Sequence, residues 1–521
     1  MLLLLSAARP APAQETGAPA PAAAAPGTTV SASWLADLPT GDNLFAALQG
    51  MQPDVVADEF SGGGLSAGQS IRIGALGSAF TQTAFRLDGI DITDPDGSGT
   101  PLFFPDLMFW QQVGVATDPR AVDVNAAGPV VSLETRLPGS HWRGSLGSSF
   151  TPPAFVEESS SSAAPPIARF DSWSHADAIV GGPLGHSRFR LIAGSDLTRA
   201  SQFERTATVA QPARVGSGFA QLVFAATPRD RWRTFVLEQQ VRYPLANGTV
   251  SRPLTASADD RSVALQSIWE HGVPGGVGWR GWVSYARRRR HADTGATDPF
   301  TIDRITNGPV PDLVDAGAGT DHRWSIGGAM TPAARVIGGV RHAWTAGAEV
   351  GGAGMRPAAP FTGLVGELVA GQPARVWQYS APDLTSDRHE TTVAAYVDDR
   401  MTWDSRLTVE AGLRYDGVSA SAAGAATGVQ WHTWLPRASV RWALPLPLGL
   451  ALFTNYARSA YRLPLQLLAW GDPAAPVADV FRWDAPAGTT AVSAAALGPL
   501  VQRIGPGTGG NPAFSRIDPA L

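Results

Sequence analysis

The chain of 521 residues contains no cysteine. Disulfide frameworks, thiolate zinc sites, iron–sulfur clusters and cysteine nucleophiles are therefore excluded together. It contains no lysine either, so all 40 basic residues are arginine, and no phosphate loop of the Gly-Lys-Ser/Thr type can be present. A net charge of −5 gives no global basic field for nucleic acid. No apolar run reaches the roughly 18 residues a membrane helix needs. If the chain spans a membrane, it must do so as a closed β-barrel. The nine histidines form no His-Glu-x-x-His motif, and Gly62-Gly63-Gly64 is not the glycine loop of a βαβ unit. The acidic stretch Asp88 to Gly99 fails as a calcium loop: aligning Gly97 with the invariant glycine puts Ile92 and Phe103 where Asp and Glu are required. No catalytic, cofactor-binding or metal-ligating residues are expected.

What is present points to β-structure. The 57 glycines would each cost about 1 kcal/mol in a helix interior, which argues against a helical bundle. Residues 1–13 read as part of a signal peptide, with apolar Met1–Leu5 and the small-x-small triplet Ala11-Pro12-Ala13. Residues 14–34 read as an Ala/Pro-rich linker. Residues 35–139 have a mixed α+β texture. Apolar spacing predicts a helix over Asn43–Met51, capped by Asp42 or Asn43. Short strands are predicted at Ser70–Gly74, Ala84–Leu87, Gly89–Thr93, Val113–Ala116 and Val130–Thr135.

From residue 140 onward, period-2 segments recur. In Arg406–Asp416, Leu407, Val409, Ala411, Leu413 and Tyr415 share one face; Thr408, Glu410, Gly412, Arg414 and Asp416 share the other. Phe189, Leu191, Ala193 and Leu197 alternate with Arg190, Gly194, Asp196 and Thr198. Phe235, Leu237, Val241 and Tyr243 alternate with Thr234, Glu238, Gln240 and Arg242. Apolar residues facing lipid and polar residues facing a wet interior would produce this pattern. Short connections such as Pro228-Arg229-Asp230 alternate with long ones such as His291–Thr320 and Arg356–Arg388. That asymmetry, with Trp142, Trp279, Trp403, Tyr415 and Trp442 near strand ends, fits an outer-membrane barrel. About thirteen such segments lie between Trp142 and Tyr461. Single-chain bacterial barrels close with an even number, and residues 462–521 read as one polar external loop. The expectation is a barrel left incomplete by C-terminal truncation.

The segments Phe85-Arg86-Leu87-Asp88-Gly89-Ile90-Asp91-Ile92-Thr93-Asp94-Pro95, Gly128-Pro129-Val130-Val131-Ser132-Leu133-Glu134-Thr135-Arg136, Val180-Gly181-Gly182-Pro183-Leu184 and Leu413-Arg414-Tyr415-Asp416, in this order and spacing, resemble a TonB-dependent outer-membrane receptor. The resemblance covers nearly the whole chain from Leu38. It implies a mainly β fold: an N-terminal α+β plug at 35–139 inside a transmembrane antiparallel β-barrel at 140–521, of about 22 strands when complete.

It also implies a Gram-negative outer-membrane location, with lipid and lipopolysaccharide as neighbours. The implied function is uptake of a scarce ligand (siderophore, cobalamin or oligosaccharide), driven by the TonB–ExbB–ExbD complex, without enzymatic chemistry. Thr28-Thr29-Val30-Ser31-Ala32 is the only TonB-box candidate. Asp94, Asp96, Phe103 and Phe104 are the candidate ligand contacts, whereas Arg72, Asp88 and Gly89 are assigned to plug architecture. The run Arg287–Arg290 reads as a solvated loop mouth or an anion site for lipopolysaccharide phosphate or ligand. Two other readings remain open from the residues: a passive or adhesive barrel, and a secreted β-rich glycan-binding protein or enzyme.

Overall fold

The computed structural model describes residues 28–31, 33–34, 43–58, 65, 68–117, 121–156, 168–185, 188–204, 209–245, 256–272, 278–294, 297–307, 310, 314, 317–404, 406–444 and 450–505. The signal segment 1–13, most of the linker, Ala32, Gly62–Gly64 and the tail after Gly505 lie outside the described residues.

An inner α+β unit comes first. Its strands are β1 (Thr28–Ser31), β2 (Val55–Ala57), β3 (Ile73–Ala75), β4 (Ala84–Leu87), β5 (Ile90–Asp91), β6 (Trp110–Ala116) and β7 (Val130–Thr135), with helix α1 (Leu44–Met51). Five of them form a sheet in the order β1-β6-β7-β4-β5; β2 and β3 pair separately. The predicted helix forms because Asn43 caps it, its side-chain oxygen accepting from the Phe45 and Ala46 amides at 3.0 and 3.4 Å. Leu44, Phe45, Leu48, Phe85, Leu87, Phe109, Trp110 and Leu133 fill the core beneath it. Residues 28–31, within the stretch read as linker, are an edge strand of this sheet.

Around this unit runs one antiparallel sheet of thirteen long strands in chain order. They are β8 (Arg143–Thr151), β9 (Ala168–Pro183), β10 (Phe189–Glu204), β11 (Gln211–Ala225), β12 (Asp230–Pro244), β13 (Ser257–His271) and β14 (Gly278–Asp293). After an external β15 (Phe300–Asp303) come β16 (Gly319–Thr331), a short β17 (Arg335–Ile337) and β18 (Val340–Pro357). After external β19 (Gly363–Val369) and β20 (Gln372–Ser380) come β21 (Arg388–Trp403), β22 (Leu407–Ala422), β23 (Val429–Ala443) and β24 (Ala451–Ala457). A 16-residue strand such as β21 is about 54 Å long at ~3.4 Å per residue. Even when tilted it outruns a hydrocarbon core of about 30 Å, so the upper ends stand clear of the membrane. This is why His291 and Thr320, read as loop ends, lie within β14 and β16.

The long loops are more ordered than their polarity suggests. β15, β19, β20, β25 (Val477–Trp483) and β26 (Leu497–Ile504) assemble into a second five-stranded sheet on the long-loop side. Two of these strands fall in the stretch read as a featureless loop after residue 462. They form because Val365, Trp377, Ala478 and Val480 bury a small apolar core of their own.

Side-chain polarity departs from expectation on one wall. On β10 and β22 the polar set faces inward: Asp196 and Asp416 are buried while Leu413 and Phe189 are exposed. On β12 the order is inverted. Phe235, Leu237, Val241 and Tyr243 point inward and are buried, while Glu238, Gln240 and Arg242 are exposed outward. The inner unit supplies the reason: Phe219 on β11 meets Phe109 at 4.7 Å and Phe235 at 6.0 Å, so this wall seals an apolar seam rather than a wet lumen. Phe235→Ala should destabilise the fold by roughly 3–5 kcal/mol, whereas Glu238→Ala should stay within about 0.5 kcal/mol. Urea titration of the folded band on unheated gels would separate the two.

Candidate functional site

The inner unit meets the opposite wall through charge. The turn between β4 and β5 places Asp88 and Gly89 at positive φ (46° and 80°). Glycine suits this φ, which L side chains rarely adopt, and a Cβ there would lie 2.9 Å from the Arg280 guanidinium. Arg280 donates to the Asp88 carbonyl. Asp88 also accepts from the Thr135 amide and hydroxyl at 3.1 and 2.7 Å and lies 3.4 Å from Arg233. Arg72 lies over the Phe80 ring at 4.8 Å.

Above this turn three arginines hold the acidic loop. Arg288 on β14 contacts Asp94, reaches Asp96 at 3.4 Å and Asp321 on β16 at 2.8 Å. The three carboxylates converge as closely as metal ligands would, and the cation they share is this guanidinium. Arg323 on β16 lies 3.5 Å from both Asp91 and Glu390 on β21, and Arg462 also pairs with Asp91. Lower down, Arg86 pairs with Asp123 at 2.8 Å, and Arg437 on β23 donates to the Ala121 and Val124 carbonyls. The run Arg287–Arg290 is thus strand rather than loop mouth. Alternation sends Arg288 and Arg290 inward, Arg290 to Asp260 at 2.9 Å, and leaves Arg287 and Arg289 exposed outside.

Burial alone would raise the Asp91 carboxyl, but Arg323, Arg462 and the Thr93 hydroxyl hold it far below the usual range. Burial raises Asp94 well above that range, with Asp96 and Asp321 adding to the effect and Arg288 opposing it. Against the same burial, Arg288 and the Ser98 amide hold Asp96 below its ordinary value.

The sequence-based candidates fall in distinct places. Asp94 and Asp96 lie at this contact with the wall. Phe103 and Phe104 are 2% and 5% exposed. Phe103 stacks on Trp110, and the backbone of Phe104 exchanges two hydrogen bonds with Gln239 on β12. Thr28, Thr29, Val30 and Ser31 pair with β6, from Thr28 opposite Val115 to Ser31 opposite Gln112. The inward arginines Arg233, Arg280, Arg323 and Arg437 were not singled out, and Arg288 was read only as part of the run Arg287–Arg290. Their signal was parity, an arginine on the same strand face as residues such as Trp282 and Ala286, which is readable only once each strand's inward face is known.

Between the charged wall and the inner unit lies a cavity of about 120 Å³. Arg86, Asp91 and Asp123 line it from inside, with Glu349, Glu390 and Arg414 from β18, β21 and β22. Above it the chain after β24 folds back onto the inner unit: the Leu465 amide donates to Pro95 (2.8 Å) and the Arg462 amide to Gln82 (2.9 Å).

A barrel wall of long antiparallel strands enclosing a latched α+β plug defines an outer-membrane plugged barrel. The family model described as "TonB dependent receptor-like, beta-barrel" matches residues 211–514, more than half of the chain. The protein belongs to this family, and its place is the outer membrane of Gram-negative bacteria. No curated protein matches it in sequence. Among solved structures it is similar in fold to the outer membrane transporter YddB from Escherichia coli, at 13% identity and a TM-score of 0.60 over 86% of this chain and 63% of that one. The siderophore receptor PirA from Acinetobacter baumannii matches at 14% and 0.58, over 88% and 67%. A mutant of the ferric enterobactin receptor PfeA from Pseudomonas aeruginosa matches at 14% and 0.63, over 88% and 66%. The chain thus spans 63% to 67% of the length of these structures.

Arg288→Met should leave three carboxylates facing one another and destabilise the plug–wall contact by roughly 3–5 kcal/mol at neutral pH. The deficit should shrink as protons replace the missing guanidinium. The wild type should instead lose the contribution of Asp96, whose folded value is depressed, as pH falls below about 4. Melting temperatures in detergent from pH 8 to pH 3 would test both trends.

Proposed function

We propose that this chain forms the plug and part of the barrel of an energy-coupled receptor that takes up a scarce ligand of the siderophore, cobalamin or oligosaccharide class. The observation that carries the reading is the two-sided plug contact: a mainly apolar seam against β11–β12, and a charged, cavity-bearing seam against β14–β23. Exchanging ion pairs for water costs less than exposing an apolar seam, so the charged side is the side that parts. Ligand arriving over the external sheet would displace the 458–472 chain segment from the plug. Asp94 and Asp96 reach ligand only when Arg288 lets go, and Phe103 and Phe104 only after a larger shift. Coupling to TonB–ExbB–ExbD enters through Thr28–Ser31, whose four-residue pairing with β6 is short enough to be exchanged for a partner strand. The siderophore receptors among the similar folds favour that ligand class, as an analogy of fold. Asp398 and Asp399 lie on opposite strand faces, Asp399 toward His342 at 2.7 Å, which gives no carboxylate pair for glycoside hydrolysis.

A Cβ at Gly412 on β22 would lie 3.3 Å from the Val122 Cβ, close to the spacing of a disulfide. Because the chain has no other cysteine, Val122→Cys with Gly412→Cys should close the charged seam by a single bridge. Uptake of one member of a panel of radiolabelled siderophores, cobalamin and oligosaccharides is expected in TonB-competent cells. The bridge should reduce that uptake at least tenfold, and reductant should restore it. Equal accumulation in TonB-deficient cells would favour the passive barrel instead.

A further inference from the structure

The outer face of the barrel carries an arginine patch that the plug contact does not use. We propose that the outward arginines of β10–β14 form a binding site for the phosphate groups of the phosphorylated glycolipid of the outer leaflet. The inference rests on outer-membrane location and not on the transport reading.

The ladder registers build the patch. Arg199 on β10 stands opposite Arg214 on β11, which stands opposite Arg242 on β12. Arg261 on β13 stands opposite Arg289 on β14, and Arg287 is two residues further down. All six are exposed, while the residues between them on the same strands (Val241, Asp260, Ser262 and Arg288) are buried toward the plug. Neighbouring strands are about 4.8 Å apart, so the patch is about 20 Å wide. Two outward acids adjoin it: Asp259, 3.6 Å from Arg261 and bonded by Gln240, and Glu238.

Six arginines against two acids leave an excess positive charge. In the row of Arg199, Arg214 and Arg242, Asp259 stands opposite Arg242, which leaves Arg199 opposite Arg214 as a like-charge pair, destabilising unless an anion lies between them. Phosphate is the anion that a guanidinium fork grips bidentately. The position fits a lipid headgroup. Directly below Arg287 on the same face comes Tyr285, opposite Trp324, both exposed, and then Val283 and Ile326, which face hydrocarbon. An aromatic girdle with cations immediately above it marks the headgroup level.

The patch is also one-sided. In the register row of Arg287, β16 offers His322, β21 His389 and β22 Ser421. In the row of Arg289, Arg356 on β18 is already paired with Asp387. The chain has no lysine, so the choice of arginine carries no weight; the placement does.

The test uses the full chain purified in detergent and titrated with bis-phosphorylated lipid A, monitored by native mass spectrometry. Arg214→Gln/Arg242→Gln and Arg261→Gln/Arg289→Gln should each weaken binding by about tenfold, and dephosphorylated lipid A should bind the wild type at least tenfold more weakly than the phosphorylated form. His389→Gln, outside the patch, should bind as the wild type does. Both double variants binding as tightly as the wild type, or the wild type failing to distinguish the two lipids, would overturn the site. The lipid comparison needs no variant, so a folding defect leaves the proposal decidable.

Discussion

In hydrocarbon every backbone amide and carbonyl must find a partner within the protein, because no water is available to accept what the chain leaves open. The thirteen-strand ladder is the consequence, and the rest of the molecule follows from its register. Alternation of side chains along a hydrogen-bonded strand is rigid: a residue faces in or out, with no intermediate choice. Once Arg288 on β14 is fixed inward beside Asp321, Arg287 and Arg289 are fixed outward, and Tyr285 with them. One ladder therefore sets the plug latch, the girdle and the outer arginine patch at once.

The plug does not sit in its barrel as in a uniform socket. Against β11–β12 it is joined mainly by aromatic and aliphatic packing, with Phe109, Phe219 and Phe235 in contact, alongside the Gln239 hydrogen bonds to Phe104 and the Arg233–Asp88 pair. Against β14–β23 it is joined by ion pairs and backbone hydrogen bonds donated by arginines. The two seams answer to different physics. Apolar packing is short-ranged and is not screened by salt, whereas buried ion pairs hold only while each charge keeps its partner. A molecule built in this way has a mainly apolar side and a charged side. The cavity beside Arg86 and Glu390 lies on the charged side.

Much of this was legible in the residues. The capped helix at Leu44–Met51, the strands Ala84–Leu87 and Val130–Thr135, the number of long strands and the alternation of short and long connections all follow from local pattern. The inversion of β12 was not legible, because Phe235 and Leu237 alternate with polar residues equally well whichever face meets lipid. The external sheet was missed because Val477–Trp483 and Leu497–Ile504 are short and flanked by loop-like Ala, Gly and Pro. Their apolar faces acquire meaning only when β19 and β20 are brought beside them. The four candidate ligand contacts were chosen as an acidic and aromatic loop, and the fold places them where the plug meets its wall.

By itself the sequence determined the class of structure. A chain without cysteine, lysine or any apolar run long enough for a helix, but with a repeated period of two and asymmetric connections, has a barrel as its membrane-spanning solution. Tertiary structure alone decided which face of each strand meets lipid, which carboxylates share which guanidinium, and which arginines are left outside. Those outcomes depend on contacts between residues roughly 200 positions apart, such as Asp94 with Arg288, and a local period carries no information about what stands across the lumen.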